Sequence, residues 1–168
     1  MENKFLHKAI VVWSNVCRFL LAVVFLFSGF VKANDPLGTV YKVQDYLEAW
    51  GLQSLSAGYA PYLAAMLCAL LEFVIGIYLF FGIRRRVAPL LVLLVMAFMT
   101  PLTLWLAIAN PISDCGCFGD AVVLTNWETF FKNVLLLIAA ISVFKWRRYI
   151  FYLVTTKVDW LISVSYTH

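Results

Sequence analysis

Residues 10–31 read IVVWSNVCRFLLAVVFLFSGFV, and Arg18 is the only charge among them. As a helix rising ~1.5 Å per residue this run is about 33 Å long, enough to cross the hydrocarbon core of a bilayer. The pattern recurs three times. Residues 60–83 are apolar around a single Glu72 and run straight into Arg84, Arg85 and Arg86. Residues 87–109 carry no charge, with Pro89 in the first turn, where its missing N–H costs nothing, and Pro101 inside, where it is expected to kink the helix. Residues 127–144 end on Lys145-Trp146-Arg147-Arg148 and follow Thr125-Asn126-Trp127-Glu128, a capping box. The expected fold is all-α, a membrane-embedded four-helix bundle.

Composition agrees. Of 168 residues 64% are apolar and 13% charged, against about 45–50% and about 25% in soluble domains. One small core cannot bury that excess, which excludes an ordinary soluble enzyme. The net charge of +4 is not a nucleic-acid signal, because the cations cluster at the ends of apolar runs. The first run has no small-residue cleavage site after it and reads as a retained span.

Between the first two spans, Lys32-Ala33-Asn34-Asp35-Pro36 ends one helix and Pro36 opens another. Val40, Val43, Leu47 and Trp50 recur at helical spacing, with Lys42, Gln44, Asp45 and Glu48 elsewhere on the wheel and Gly51 as a stop. This is expected to be a short amphipathic helix at the membrane surface or capping the bundle, without a ligand role. Tyr41, Tyr46 and Trp50 suit an interfacial aromatic belt, and Lys132 is expected to snorkel. Ser28-Gly29-Phe30 offers a small-residue face for close helix contact.

Cations set the orientation. Lys4, Lys8, Arg84, Arg85, Arg86, Lys145, Arg147 and Arg148 fall on one side, whereas only Lys32, Lys42 and Lys132 fall on the other, among six acids. The positive-inside rule then puts both termini in the cytoplasm. In a bacterium with two membranes, the connection between the last two spans faces the periplasm, where disulfides persist. That connection holds Asp114-Cys115-Gly116-Cys117-Phe118-Gly119-Asp120. Cysteines two apart across a glycine can close a small, strained and therefore oxidising disulfide. They can also bind a soft metal or simply brace a loop. Metal ranks last, because the chain's two histidines, His7 and His168, lie far away.

Ionisable residues inside spans are expensive and usually paired. Counted from the cytoplasmic ends of the expected helices, Arg18 lies ~12 Å deep and Glu72 ~15 Å deep. The expectation is an Arg18–Glu72 ion pair, acting as a register lock or as the polar lining of a quinone pocket. Cys17 and Cys68, within spans, are expected to behave as small buried hydrophobes.

Taken together, Phe27-Ser28-Gly29-Phe30-Val31-Lys32, the intramembrane Arg18 and Glu72, and Asp114 to Asp120 resemble the DoxX-like superfamily. The likeness is strongest to its methylamine-utilisation MauE branch, whose loop carries a similar Cys-Gly-Cys-Phe-Gly, and covers roughly residues 10–145. The resemblance implies a four-helix inner-membrane protein connected with periplasmic disulfides and with quinone-linked redox reactions. On this reading Cys115 and Cys117 exchange disulfides with a thioredoxin-like partner, Asp114 and Asp120 hold the loop, and Arg18 and Glu72 contact a quinone. The alternative is a non-catalytic assembly subunit whose loop docks a partner, and a small transporter is a third reading. Residues 1–148 are expected to form the membrane domain. Residues 149–168 hold an apolar run too short to span, so they read as a surface tail or as the start of something longer.

Overall fold

The computed structural model describes residues 2–56, 58–110 and 124–151. Six helices follow in order: α1 (Glu2–Asn34), α2 (Pro36–Ala49), α3 (Gln53–Ser56), α4 (Ala60–Phe81), α5 (Val87–Ala109) and α6 (Asn126–Lys145), with a 3-10 turn at Arg147–Tyr149. The described residues are helical throughout their regular structure. Four helices are long and apolar enough to cross a membrane. Large apolar side chains on all four, such as Val12, Leu63, Leu94 and Leu135, face outward. In water that surface would drive aggregation; in a bilayer it meets lipid chains. The chain is a multi-pass membrane protein.

The helix ends follow local chemistry. Asp35 precedes a proline and cannot easily stay helical, so α1 stops there. Its carboxylate then accepts from Gly38 N at 3.1 Å and caps α2, with Pro36 in the first turn. Gly82 closes α4 in the left-handed region at φ 72°, and Asn110 closes α5 at φ 45°. Thr125 and Glu128 form the expected capping box of α6. Against expectation, α1 starts near residue 2 and not near 10, because no proline or glycine interrupts it before Gly29. Helix α5 runs through Pro101 as one element.

Helices α1 and α4 form the tightest pair. A Cβ added to Gly29 would sit 2.6 Å from Phe73 N, and one added to Gly76 would sit 2.8 Å from Leu26 N. Two glycines, one on each helix, therefore let the backbones meet, as small residues do in membrane helix pairs. Leu21, Ala22, Phe25, Ile75 and Leu79 fill the seam and join Val92, Met96, Leu136, Ala140 and Val143 from the other two spans. Helices α5 and α6 pair antiparallel through Asn133, which donates to Thr103 Oγ1 at 3.2 Å, and Asn126, which donates to Asn110 Oδ1 at 2.8 Å.

This register overturns the Arg18–Glu72 pair. With Gly29 against Phe73 and Leu26 against Gly76, Glu72 lies near the end of α1 while Arg18 lies beside Gly82. Twelve residues of helix separate Arg18 from the level that faces Glu72, about 18 Å. Counting depth from residue 10 hides this offset: with Gly29 level with Phe73 and Leu26 level with Gly76, the end of α4 at Phe81 is level with about residue 21 of α1, and roughly the first five turns of α1 project past it. The buried Arg18 instead donates to Phe151 O at 2.6 Å and lies 4.4 Å from the Phe19 ring centroid. One turn away, Asn15 donates to Tyr149 O at 3.2 Å and accepts from Phe151 N at 3.1 Å. Together they clamp the chain after α6 onto α1.

Replacing Gly29 with Leu is expected to lower stability in detergent by about 1–3 kcal/mol or to stop assembly, since the intruding atoms meet backbone. Phe30→Leu, on the exposed side, is expected to leave the unfolding midpoint unchanged. Equal midpoints for the two variants would refute the close α1–α4 contact.

Candidate functional site

A cavity of about 280 Å³ lies between the α1–α4 and α5–α6 pairs, with α2 across it. Its existence follows from the packing. Each pair is tight within itself, whereas α4 and α5 touch only sparingly. The space between the pairs is closed by the side of α2, which rests on α4 and ends with Trp50 against Trp105, ring centroids 6.4 Å apart. Gln44 ties α2 to the following turn by donating to Ser56 O at 3.2 Å.

The polar centre of the cavity is Lys32, Glu72 and Ser28. Lys32 Nζ lies 2.6 Å from both Glu72 oxygens, and Ser28 Oγ donates to Glu72 Oε2 at 2.7 Å. Lys32 also donates to Ser28 Oγ at 3.0 Å. The side chains of the pair are only 8% and 13% exposed. Such a pair is costly to desolvate and persists because each charge meets the other and a hydroxyl. Ser28 and Lys32 are one turn apart on α1, on the face that also buries Phe25.

Of the residues expected to form a cofactor site, Glu72 lines this cavity and Arg18 lies at the other end of the bundle. The expected partner of Glu72 was the wrong cation. In the sequence Lys32 stands in the segment that ends the first helix, and its i, i+4 relation to Ser28 is the local signal that places both on one face of α1. The amphipathic helix forms as expected, but Val43, Tyr46, Leu47 and Trp50 look into the cavity, so α2 is a wall and not a bystander. Tyr41 alone of the three proposed belt aromatics faces wholly outward. Lys132 lines the cavity as well. Cys17 is buried as expected; Cys68 is not, being exposed and part of the cavity wall. Cys115, Cys117, Asp114 and Asp120 lie outside the described residues. Among the described residues no three His, Cys, Asp or Glu side chains are grouped to hold a metal.

The family model described as methylamine utilisation protein MauE matches residues 8–145. The chain belongs to the MauE family. Neither the curated proteins nor the solved structures gave a match. The MauE region takes in all four spans and every residue lining the cavity, and it ends before the clamped segment at Tyr149 and Phe151.

Removing Glu72 while keeping Lys32 is expected to cost about 3–5 kcal/mol of stability in detergent, the penalty for a buried charge left unpaired. Lys32→Met combined with Glu72→Leu is expected to recover most of it. In a double-mutant cycle, Lys32 and Glu72 should couple strongly, while Arg18 and Glu72 should be additive. Strong Arg18–Glu72 coupling would contradict the register described above.

Proposed function

We propose that this MauE-family membrane protein supports thiol–disulfide exchange on the periplasmic side of a bacterial inner membrane, with Cys115 and Cys117 as the exchanging pair. The observation that carries the reading is the Asn126–Asn110 hydrogen bond at 2.8 Å. It ties together the two helix ends from which the Cys-Gly-Cys segment departs. Those ends lie at the cavity end of the bundle, away from Arg84, Arg85, Arg86, Arg147 and Arg148. With the cationic end in the cytoplasm, the cysteines meet the oxidising compartment and both Glu2 and Tyr149 lie inside.

In the exchange, one thiolate of a thioredoxin-like partner attacks a sulfur of the Cys115–Cys117 disulfide, and its second thiolate resolves the mixed disulfide. The partner leaves oxidised and the pair leaves as two thiols, carrying two electrons and two protons. A membrane-soluble acceptor, a quinone by chemical class, takes them and restores the disulfide. A disulfide closed across one glycine is strained, which favours its reduction by the partner. Asp114 and Asp120 hold the segment. The wider likeness to the DoxX-like superfamily, and a membrane domain ending near residue 148 before a tail, belong to the same proposal.

The test is the thiol state of Cys115 and Cys117 in acid-quenched cells, read with a membrane-impermeant alkylating reagent before and after mild reduction. The expected outcome is protection that reduction abolishes and that returns in the membrane. Cysteines fully labelled from the start, or never labelled after reduction, would overturn it. The double serine variant should lose oxidation of its partner while the membrane protein still assembles; loss of assembly instead would point to a scaffold.

A further inference from the structure

One face of α1 is polar where the rest of the helix is not. His7, Ser14, Asn15 and Arg18 recur there at helical spacing. Three of the four hold the chain that returns after α6. The His7 and Tyr149 rings meet edge to face at 5.0 Å, Asn15 bonds Tyr149 O and Phe151 N, and Arg18 donates to Phe151 O. The site is shaped around the guanidinium: a Cβ on Gly82 would sit 2.5 Å from Arg18 Nη1. Yet it is only partly filled. A guanidinium carries five N–H donors, and Arg18 Nε is buried with no partner among the described residues. Ser14 Oγ, one turn earlier and fully buried, has none either.

Arg18 is 1% exposed, and among the described residues no carboxylate pairs with it. A buried cation normally has an opposite charge beside it. The sequence offers nine acidic residues. Asp35, Asp45, Glu48, Glu72 and Glu128 belong to the other end of the bundle. Glu2 starts α1, sixteen residues before Arg18 and so about 24 Å away. Asp114 and Asp120 are tethered at the other end too, four residues after Asn110 and six before Asn126. Those tethers reach at most about 14 and 22 Å, short of the roughly 35 Å length of α5. The remaining acid is Asp159, eight residues beyond Phe151, whose carbonyl Arg18 already holds. Eight residues give up to about 28 Å of chain, enough to turn and come back.

We propose that the polar face of α1 is a docking site for the chain's own segment after Phe151, and that Asp159 supplies the carboxylate that pairs with Arg18. Ser14 Oγ is a second donor to the same group. Residues 152–168 lie outside the described residues, and the docking site is argued from the side chains that face it. A lipid phosphate is the other oxyanion at a membrane boundary, but Arg18 is closed off by its own chain, which favours a carboxylate carried by that chain. The inference does not depend on disulfide exchange at Cys115 and Cys117.

The test is carboxyl labelling of the full chain in phosphatidylcholine nanodiscs with a water-soluble carbodiimide and glycine ethyl ester, mapped by mass spectrometry. Asp45, exposed on α2, is the reference. Asp159 should react about tenfold more slowly than Asp45, as a carboxylate held in charge-assisted hydrogen bonds does. Arg18→Gln should bring the two rates together. Asp159→Asn should lower the unfolding midpoint and Asp159→Glu should largely preserve it. Combined with Arg18→Gln, the loss from Asp159→Asn should shrink, since the two residues act as a pair. The unaltered protein and the Asp159 variants carry the test even if Arg18→Gln fails to fold. Asp159 reacting as fast as Asp45, or an unchanged midpoint in Asp159→Asn, would overturn the proposal. Phosphatidylglycerol that raises the midpoints of the unaltered protein and of Asp159→Asn equally, with no difference between the two, would overturn it too and give Arg18 to a lipid phosphate.

Discussion

The close approach of α1 and α4 at Gly29 and Gly76 is the constraint on which the rest of this bundle depends. Backbone contact leaves little freedom to slide, because moving either helix by a residue would put a side chain where only hydrogen now fits. That fixed register decides which charges meet. It brings Glu72 to Lys32 and Ser28, and it sends Arg18 to the opposite end, against Gly82 and the carbonyl of Phe151. Each buried charge is thus answered at its own end of the membrane, one by an opposite charge and the other by a backbone dipole and an aromatic face.

The same tightness explains the cavity. Two helix pairs that close well on themselves have little reason to close on each other. The α1–α4 pair uses glycines and the α5–α6 pair uses buried amides and a threonine. The space left between them is covered on one side by α2. A polar floor in that position is stable because its members satisfy one another. A pocket in this protein therefore follows from how well its halves pack, and does not require any helix to be broken.

The four spans were legible because their signals are local: length, absence of charge, a cap, a glycine or an asparagine after the last turn. The limits of α5, the start of α4 and the Thr125–Glu128 cap could be read residue by residue, whereas α4 ends two residues before the expected Ile83, at the left-handed Gly82. The Arg18–Glu72 error shows where that kind of reading stops. Depth counted from an apolar boundary assumes that helices begin where hydrophobicity begins, and α1 continues through polar residues to Glu2. Register is set by side-chain volume between two helices, and only Gly29 hinted at it. The cavity was not legible at all, since α2 shows the same amphipathic pattern whether its apolar face meets lipid, core or an internal space. Cys68 was misread for a related reason: an apolar neighbourhood in sequence says nothing about which side of a helix is covered.

The clamp made by Asn15 and Arg18 reaches across more than 130 positions of chain to Tyr149 and Phe151. A ribosome makes α1 before the other three spans and those acceptors after them. Throughout synthesis of the other three spans, a guanidinium destined to be buried has no native carbonyl to bind. The first span must therefore wait near the aqueous boundary or beside a surrogate acceptor, and its seating against α4 is completed only when the final turn arrives. The last-made part of the bundle is thus the latch for the first.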